Sequence, residues 1–218
     1  MKLNHIRRSA GIATAALALS FSLAACGSED DEPTSTSSGD DTTAAASSAG
    51  DQTFGDGCAQ VPADGAGSFD GMVKDPVATA ASNNPLLTTL VTAVTSVDGL
   101  ADTLNGAEEL TVFAPYNGAF AEIPEKDLNG LVMGAKEQGQ ESTLYKILAH
   151  HVVGENADKD EVAGEKDTLA GDTLTIEGDA ESGMTVSDGT VTANVLCGNI
   201  PTANATVYVI DKVLTGVK

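Results

Sequence analysis

No tryptophan occurs in this 218-residue chain, and Phe and Tyr bring the aromatic share to only 4%. That scarcity argues against stacked aromatic platforms for sugars or bases. Basic residues are also few, 11 Lys and Arg against 32 Asp and Glu, for a formal net charge of −21. A nucleic-acid partner is excluded, because binding the phosphate backbone needs clustered Lys and Arg to release counterions. Electrostatic docking on anionic lipid heads is disfavoured for the same reason. The chain has only three histidines and three cysteines. It lacks G-x-S-x-G, H-E-x-x-H, C-x-x-C and G-x-x-x-x-G-K-[ST] patterns, so no nucleophile elbow, zinc site, redox pair or phosphate loop is announced. What is present is 41% apolar residues, enough for a core built mainly of Val, Leu, Ile and Ala.

The few bases are unevenly placed. Lys2, Arg7 and Arg8 precede an apolar run over Ala10–Ala25 that is too short for a comfortable membrane span. Taking away residues 1–25 removes three of the eleven bases and no acid, so the remainder stands at −24. The run closes on Leu23-Ala24-Ala25-Cys26-Gly27, which resembles a bacterial lipobox. The expectation is a signal peptide over residues 1–25, with Cys26 lipidated as the mature N-terminus. Two acyl chains give stable anchoring where one gives marginal binding. Residues 26–55 are expected to form a lipid-anchored disordered tether. Gly27–Thr53 contains no Val, Leu, Ile, Met, aromatic or basic residue and seven acids, too little apolar surface to offset the entropy of ordering. The acidic run Glu29–Glu32 lacks the alternating spacing of a calcium loop and reads as solvated spacer.

From residue 56 to 218 apolar residues become periodic, over a length usual for one domain. Asn84-Pro85 signals a helix start, and Leu87, Leu90, Val91, Val94 and Val97 follow at spacings of three and four. Gly99 interrupts, and Leu100 and Leu104 belong to a second short turn or helix. Thr111–Ala114 reads as a strand, Pro115–Asn117 as a turn, with Asn117 capping a short helix through Phe120. A helix over Asp127–Met133 follows. Ser142 caps another, with Leu144, Ile147, Leu148 and His151 on one face, which gives way to a strand at Val152-Val153. The C-terminal third alternates as strands: Thr173–Glu177, then two strands around the Asp188-Gly189 hairpin signal, then Val195–Cys197 and Val207–Leu214. Helices precede strands without βαβ alternation, an α+β pattern.

Cys58 and Cys197 remain after processing, and an even pair in a secreted domain points to a disulfide. Adjacent His150 and His151 cannot ligate one metal as an i, i+4 pair would, and no metal or cofactor is expected. His151 is expected in the core, hydrogen-bonded where its helix ends, with the His150 ring off the apolar face. Glu108-Glu109 reads as a solvated face rather than a glycosidase pair. Asn204-Ala205-Thr206 fits a glycosylation sequon but reads as a loop whose Asn and Thr cap the final strand.

Three stretches carry a resemblance. Thr111–Phe120 resembles the first signature of the fasciclin (FAS1) domain, Leu148–Val153 its central Tyr-His motif, and Ala205–Leu214 its closing signature, in the right order over residues 72–218. Gly57–Ala59, Asp75–Pro85 and Val195–Gly198 are similar to a mycobacterial group of secreted and lipid-anchored single-domain antigens, which implies a disulfide at Cys58 and Cys197. The resemblance implies a single FAS1 domain, a β-sandwich or wedge flanked by several helices, acting in adhesion or matrix binding rather than catalysis. It implies structural roles for Thr111, Phe113, Pro115, Asn117, Phe120, His151, Ile210 and Asp211, and by placing the first signature beside His151 it implies the Pro115–Asn117 turn as the hydrogen-bond partner of that ring. The family has Thr where Tyr116 stands and Tyr where His150 stands.

The expected function is a non-catalytic, surface-displayed adhesion or interaction module. It would be a monomer held outside a bacterial cell membrane by its lipid, with matrix, polysaccharide or surface-protein partners. The alternatives are a carrier for small apolar ligands, with a pocket between sheet and helices, and a hydrolase using His151 with a serine.

Overall fold

The computed structural model describes residues 48–217. The expected signal peptide, Cys26 and most of the tether lie outside them.

Seven strands form one sheet in the order β2-β1-β7-β6-β5-β4-β3. They are β1 (Leu110–Pro115), β2 (Val152–Val153), β3 (Gly164–Asp167), β4 (Thr173–Asp179), β5 (Gly183–Ser187), β6 (Thr192–Pro201) and β7 (Ala205–Ile210). From β3 to β7 the chain meanders in antiparallel pairs, while β1 joins β7 in parallel, Leu110 opposite Ala205 through Pro115 opposite Ile210. An isolated bridge between Val153 and Thr168 brings the two sheet edges together, so the sheet nearly closes on itself. The result is the helix-flanked wedge of an α+β fold.

Helices α1 (Phe69–Met72), α2 (Val77–Asn83), α3 (Thr88–Thr95) and α4 (Leu100–Gly106) come before the sheet begins. The segments α5 (Asn117–Ala121), α6 (Glu125–Gln138) and α7 (Thr143–His150) lie between β1 and β2. Their limits follow local chemistry. Asn84 accepts the Leu86 N–H over Pro85, which opens a short 3-10 turn ahead of α3. Gly99 takes the left-handed φ of 75° that separates α3 from α4. Ser142 caps α7 by accepting the Tyr145 N–H at 3.1 Å. The helix expected over Asp127–Met133 runs longer, from Glu125 to Gln138. α2 was not legible, because Val-Ala-Thr-Ala-Ala-Ser-Asn offers one strong apolar residue and no stripe.

Two apolar clusters occupy the two faces of the central strands. Val112 and Ala114 of β1 and Val207 and Val209 of β7 face the helices, with Leu90, Leu104, Leu144 and Leu148. The alternate residues Phe113, Tyr208 and Ile210 face the second cluster, inside the curved sheet, with Leu174, Ile176, Met184, Val186 and Leu214. Every residue of β1 and β7 is therefore buried, whereas β4 alternates buried and exposed. Strands buried on both faces read as continuous apolar runs, and one-sided strands alternate.

The N-terminal limit of the fold lies earlier than residue 56. Phe54 exchanges both backbone hydrogen bonds with Gly198 (3.2 and 2.8 Å), and Asn199 donates from its side chain to the Gln52 carbonyl at 3.1 Å. The Ala49 N–H donates to Asp70 at 2.8 Å. Composition placed residues 48–55 in the tether, but backbone groups do not depend on composition. The irregular β6, with register shifts between Val195 and Ile200, offers them partners. Phe54 then packs on Tyr208 with ring centres 6.3 Å apart. Beside it Cys58 and Cys197 are joined, closing 139 residues of sequence separation with Cα atoms 4.8 Å apart.

Candidate functional site

The three signature stretches meet around the end of α7. The strand β1 supplies Thr111, Phe113 and Pro115, and all three are buried. Phe113 packs 5.6 Å from the Tyr208 ring, centre to centre. The Tyr208 hydroxyl donates to the Ala157 carbonyl, and burial pushes that phenol well above its usual range. Thr111 donates its hydroxyl to Glu155 O at 2.7 Å and accepts the Ala157 N–H at 2.9 Å. A loop that would otherwise pass over bare sheet is thereby pinned.

His151 is buried at the helix–strand junction. Its Nε2 accepts the Leu214 N–H at 3.0 Å. The proton is therefore on Nδ1, which donates to the Ile147 carbonyl at 2.7 Å. Its own carbonyl accepts the Phe113 N–H at 2.9 Å. One residue thus ties α7, β1 and the closing signature together. The Pro115–Asn117 turn is not its hydrogen-bond partner. The chain after β7 crosses the end of α7 and presents a backbone N–H that the turn does not. Desolvation holds the imidazole pKa down at about 4, with His150 adding to the effect and the Ile147 carbonyl opposing it.

His150 also departs from expectation. Its relative exposure is 1%, below the 3% of His151. Helical periodicity assigns a ring 100° away from the apolar face to solvent, but the last turn of α7 runs under two sheet loops. Asp172, preceding β4, accepts the His150 Nδ1–H at 2.6 Å. Asp188, in the β5–β6 turn, places Oδ2 3.6 Å from Nε2, which has no hydrogen-bond partner among the described residues. Asp188 accepts the N–H groups of Thr190, Val191 and Gly216 (2.7, 2.6 and 2.7 Å). Burial alone would raise the Asp188 pKa, but those N–H groups and His150 hold it below the usual carboxylate range. Asp172 is held low in the same way, against burial, by the Thr168 hydroxyl and His150. Sequence reasoning missed both aspartates. Asp188 was visible only as half of a turn signal.

Asn117 does not cap its own helix. Its Oδ1 accepts the Thr89 N–H at 2.9 Å and the Thr88 hydroxyl at 3.1 Å, and its Nδ2 donates to the Pro85 carbonyl at 2.8 Å. It therefore caps α3 from across the fold, and α5 begins after Tyr116 without a side-chain cap. Phe120 is buried below it in the helix-side cluster. Asp211 clasps β6 by accepting the Asn194 N–H and Nδ2–H at 2.7 and 2.6 Å, which fixes the end of β7 just beyond the buried Ile210. Asn204 of the sequon is not free for modification and does not cap the final strand. Its Oδ1 accepts the Val77 N–H, and its Nδ2 donates to the Leu104 and Ala107 carbonyls, each at 2.9 Å. Glu108 and Glu109 are both exposed.

Thr111, Asn117, His151, Thr206, Tyr208 and Asp211 are thus engaged within the fold. The model of the fasciclin domain matches residues 85–216. This chain belongs to the fasciclin domain family. Its domain is an adhesion-type module with no catalytic activity. The cell surface glycolipoprotein MPB83 of Mycobacterium bovis is 41% identical over 167 residues, 73% of this chain and 70% of the relative. The immunogenic protein MPB70 of the same species is 42% identical over 174 residues, covering 77% and 83%. Among solved structures, a FAS1 domain pair from the insect cell adhesion molecule fasciclin I is 20% identical with a TM-score of 0.46. The alignment covers 60% of this chain and 44% of that one.

Proposed function

We propose that this protein is a lipid-anchored surface module: Cys26 holds it to the outer face of a bacterial membrane, an acidic tether spaces it away, and the FAS1 domain binds an extracellular matrix, polysaccharide or surface-protein partner. The observation that carries a binding rather than hydrolytic reading is His151. Both ring nitrogens are spent on Ile147 O and Leu214 N, and a pKa near 4 leaves no basic nitrogen open to a serine. Similarity to a relative named as a cell surface glycolipoprotein supports the surface location. The N-terminal basic, apolar and lipobox segments support the anchor.

Two measurements test this. Cys26→Ser should release the protein from membranes or block its processing. Full partition with membranes at the processed size would overturn the anchor. The soluble mature protein, offered to immobilised matrix proteins, polysaccharides and cell-envelope fractions, should be retained saturably by one class. Retention by none would overturn the adhesion reading.

A further inference from the structure

We infer that the segment Val213–Val217, which follows β7, is an acid-released strap: it lies closed over the end of α7 at neutral pH and lifts as the pH falls. The hydrogen bonds that hold it, among the described residues, end on two side chains. The Leu214 N–H donates to His151 Nε2 at 3.0 Å, and the Gly216 N–H donates to Asp188 Oδ2 at 2.7 Å. Neither bond has a backbone acceptor, and protonation removes the acceptor in both cases. Ahead of the strap the chain is fixed by Asp211, which accepts the Asn194 N–H and donates its own N–H to the Asn194 carbonyl at 3.1 Å. The hinge therefore falls at Lys212, between that clasp and the bond at Leu214.

The strap covers apolar surface. Leu214 is fully buried inside the curved sheet. Val213 and Thr215 close a cavity of about 110 Å³ against Leu128, Leu131, Leu144 and Ile147. A lifted strap bares that cavity between α6 and α7. The charged groups that face His151 are His150 on its own helix, with ring centres 6.1 Å apart, and Asp188 in the β5–β6 turn. Its neighbours in the cavity carry no charge, and on the side toward α3 and α4 the one titratable neighbour is the Tyr145 hydroxyl. Asp188 in turn faces His150, with 3.6 Å between Oδ2 and Nε2. With the strap closed, a proton on His151 Nε2 would point at the Leu214 N–H. Burial of the closed site holds the imidazole pKa down at about 4. Lifting the strap returns Nε2 to water, where the ordinary value is about 6.5. Opening therefore takes up a proton, and it is favoured increasingly as the pH falls through that window. Asp188 is held below the usual carboxylate range, against its burial, by the N–H groups of Val191, Gly216 and Thr190, so it adds to the opening only at lower pH.

The test is native-state hydrogen exchange by NMR on the full chain, carrying Cys26→Ser to keep acyl groups off the protein, at pH 7, 6 and 5. The Leu214 and Gly216 amides should be less protected than the Val207 and Val209 amides of β7. Urea at low concentration should speed exchange in β7 without speeding it in the strap, the mark of a local opening. The opening constant of the two strap amides should rise together by about twentyfold from pH 7 to pH 5. His151→Gln has no titrating ring at the site and should abolish that rise. The wild-type profile stands as a test even where the variant folds poorly. The proposal is overturned if the strap amides exchange in step with β7 and with the same urea dependence, because the strap then opens only when the whole domain unfolds. It is equally overturned by a local opening whose constant is the same at pH 7 and pH 5, or by a rise that persists in folded His151→Gln.

Discussion

Lowering the pH from 7 to 5 should destabilise the domain through His151. In the folded state this ring is neutral, with a pKa of about 4, against about 6.5 in an unfolded chain. Because the folded value is depressed, the stabilisation is fully present above pH 6.5 and is lost as the pH falls toward 4. Across that window the unfolded state binds a proton that the folded state refuses. The loss amounts to about 2 kcal/mol between pH 7 and pH 5 and approaches about 3 kcal/mol at the lower limit. For a domain of this size that is a fall in Tm of about 4–8 °C over the same two pH units. The carboxylates of Asp172 and Asp188 are held below their usual range, so their contribution is lost at lower pH and does not confuse the window. Urea melts at half-unit pH steps give the slope, and NMR titration of the His151 ring gives its midpoint directly. His151→Gln keeps a donor toward Ile147 O and an acceptor toward Leu214 N but carries no titrating group. It should be less stable at pH 7 and show a flatter pH dependence. A variant slope equal to that of the wild type, or a His151 midpoint near 6.5, would refute the argument.

Opening the Cys58–Cys197 bridge with paired serines should cost about 5 kcal/mol from the entropy of so long a loop, read as a lower urea midpoint. Asn117→Ala removes the cap that α3 borrows from α5 and should cost about 1–2 kcal/mol. Asn117→Asp, which keeps the acceptor, should cost less in the same melts. Asn204→Ala breaks three hydrogen bonds and should cost about 2–3 kcal/mol, and mass spectrometry of the native protein should find Asn204 without a glycan.

Most strands were legible because apolar alternation and unbroken apolar runs report burial on one face or two, but β3, Gly-Glu-Lys-Asp, has no apolar residue to report. Thr173–Glu177 lies within β4, while the strand expected over Val207–Leu214 ends at Ile210, where β7 leaves the sheet. The Asp188-Gly189 turn followed from backbone preference alone. What escaped was whatever depends on partners distant in sequence. Phe54 looks like the end of a polar tether until β6 supplies the backbone groups opposite it. Asn117 has the chemistry of a cap, but which helix it caps depends on how α3 and α5 meet. One-dimensional periodicity finds the face of α7 that meets the helical cluster, but it contains no information about Asp172, 22 residues further on.

The same distinction governs the candidate site. The signatures identify the family, yet in the structure Thr111, Asn117, His151 and Asp211 all face one another or the backbone. They hold the frame together and offer nothing to a partner. A residue pattern retained for internal hydrogen bonding can reveal a fold without revealing where that fold binds. The groove between α2, α3, α4 and α7 is lined mainly by Val, Leu and Ala, with Ser82, Thr95, Thr103, Tyr145 and His151 among them. Only the geometry of four helices against β1 separates a filled interior from an open apolar slot. Whether such a lining is filled or open depends on shape, and shape is the property that a single sequence expresses least directly.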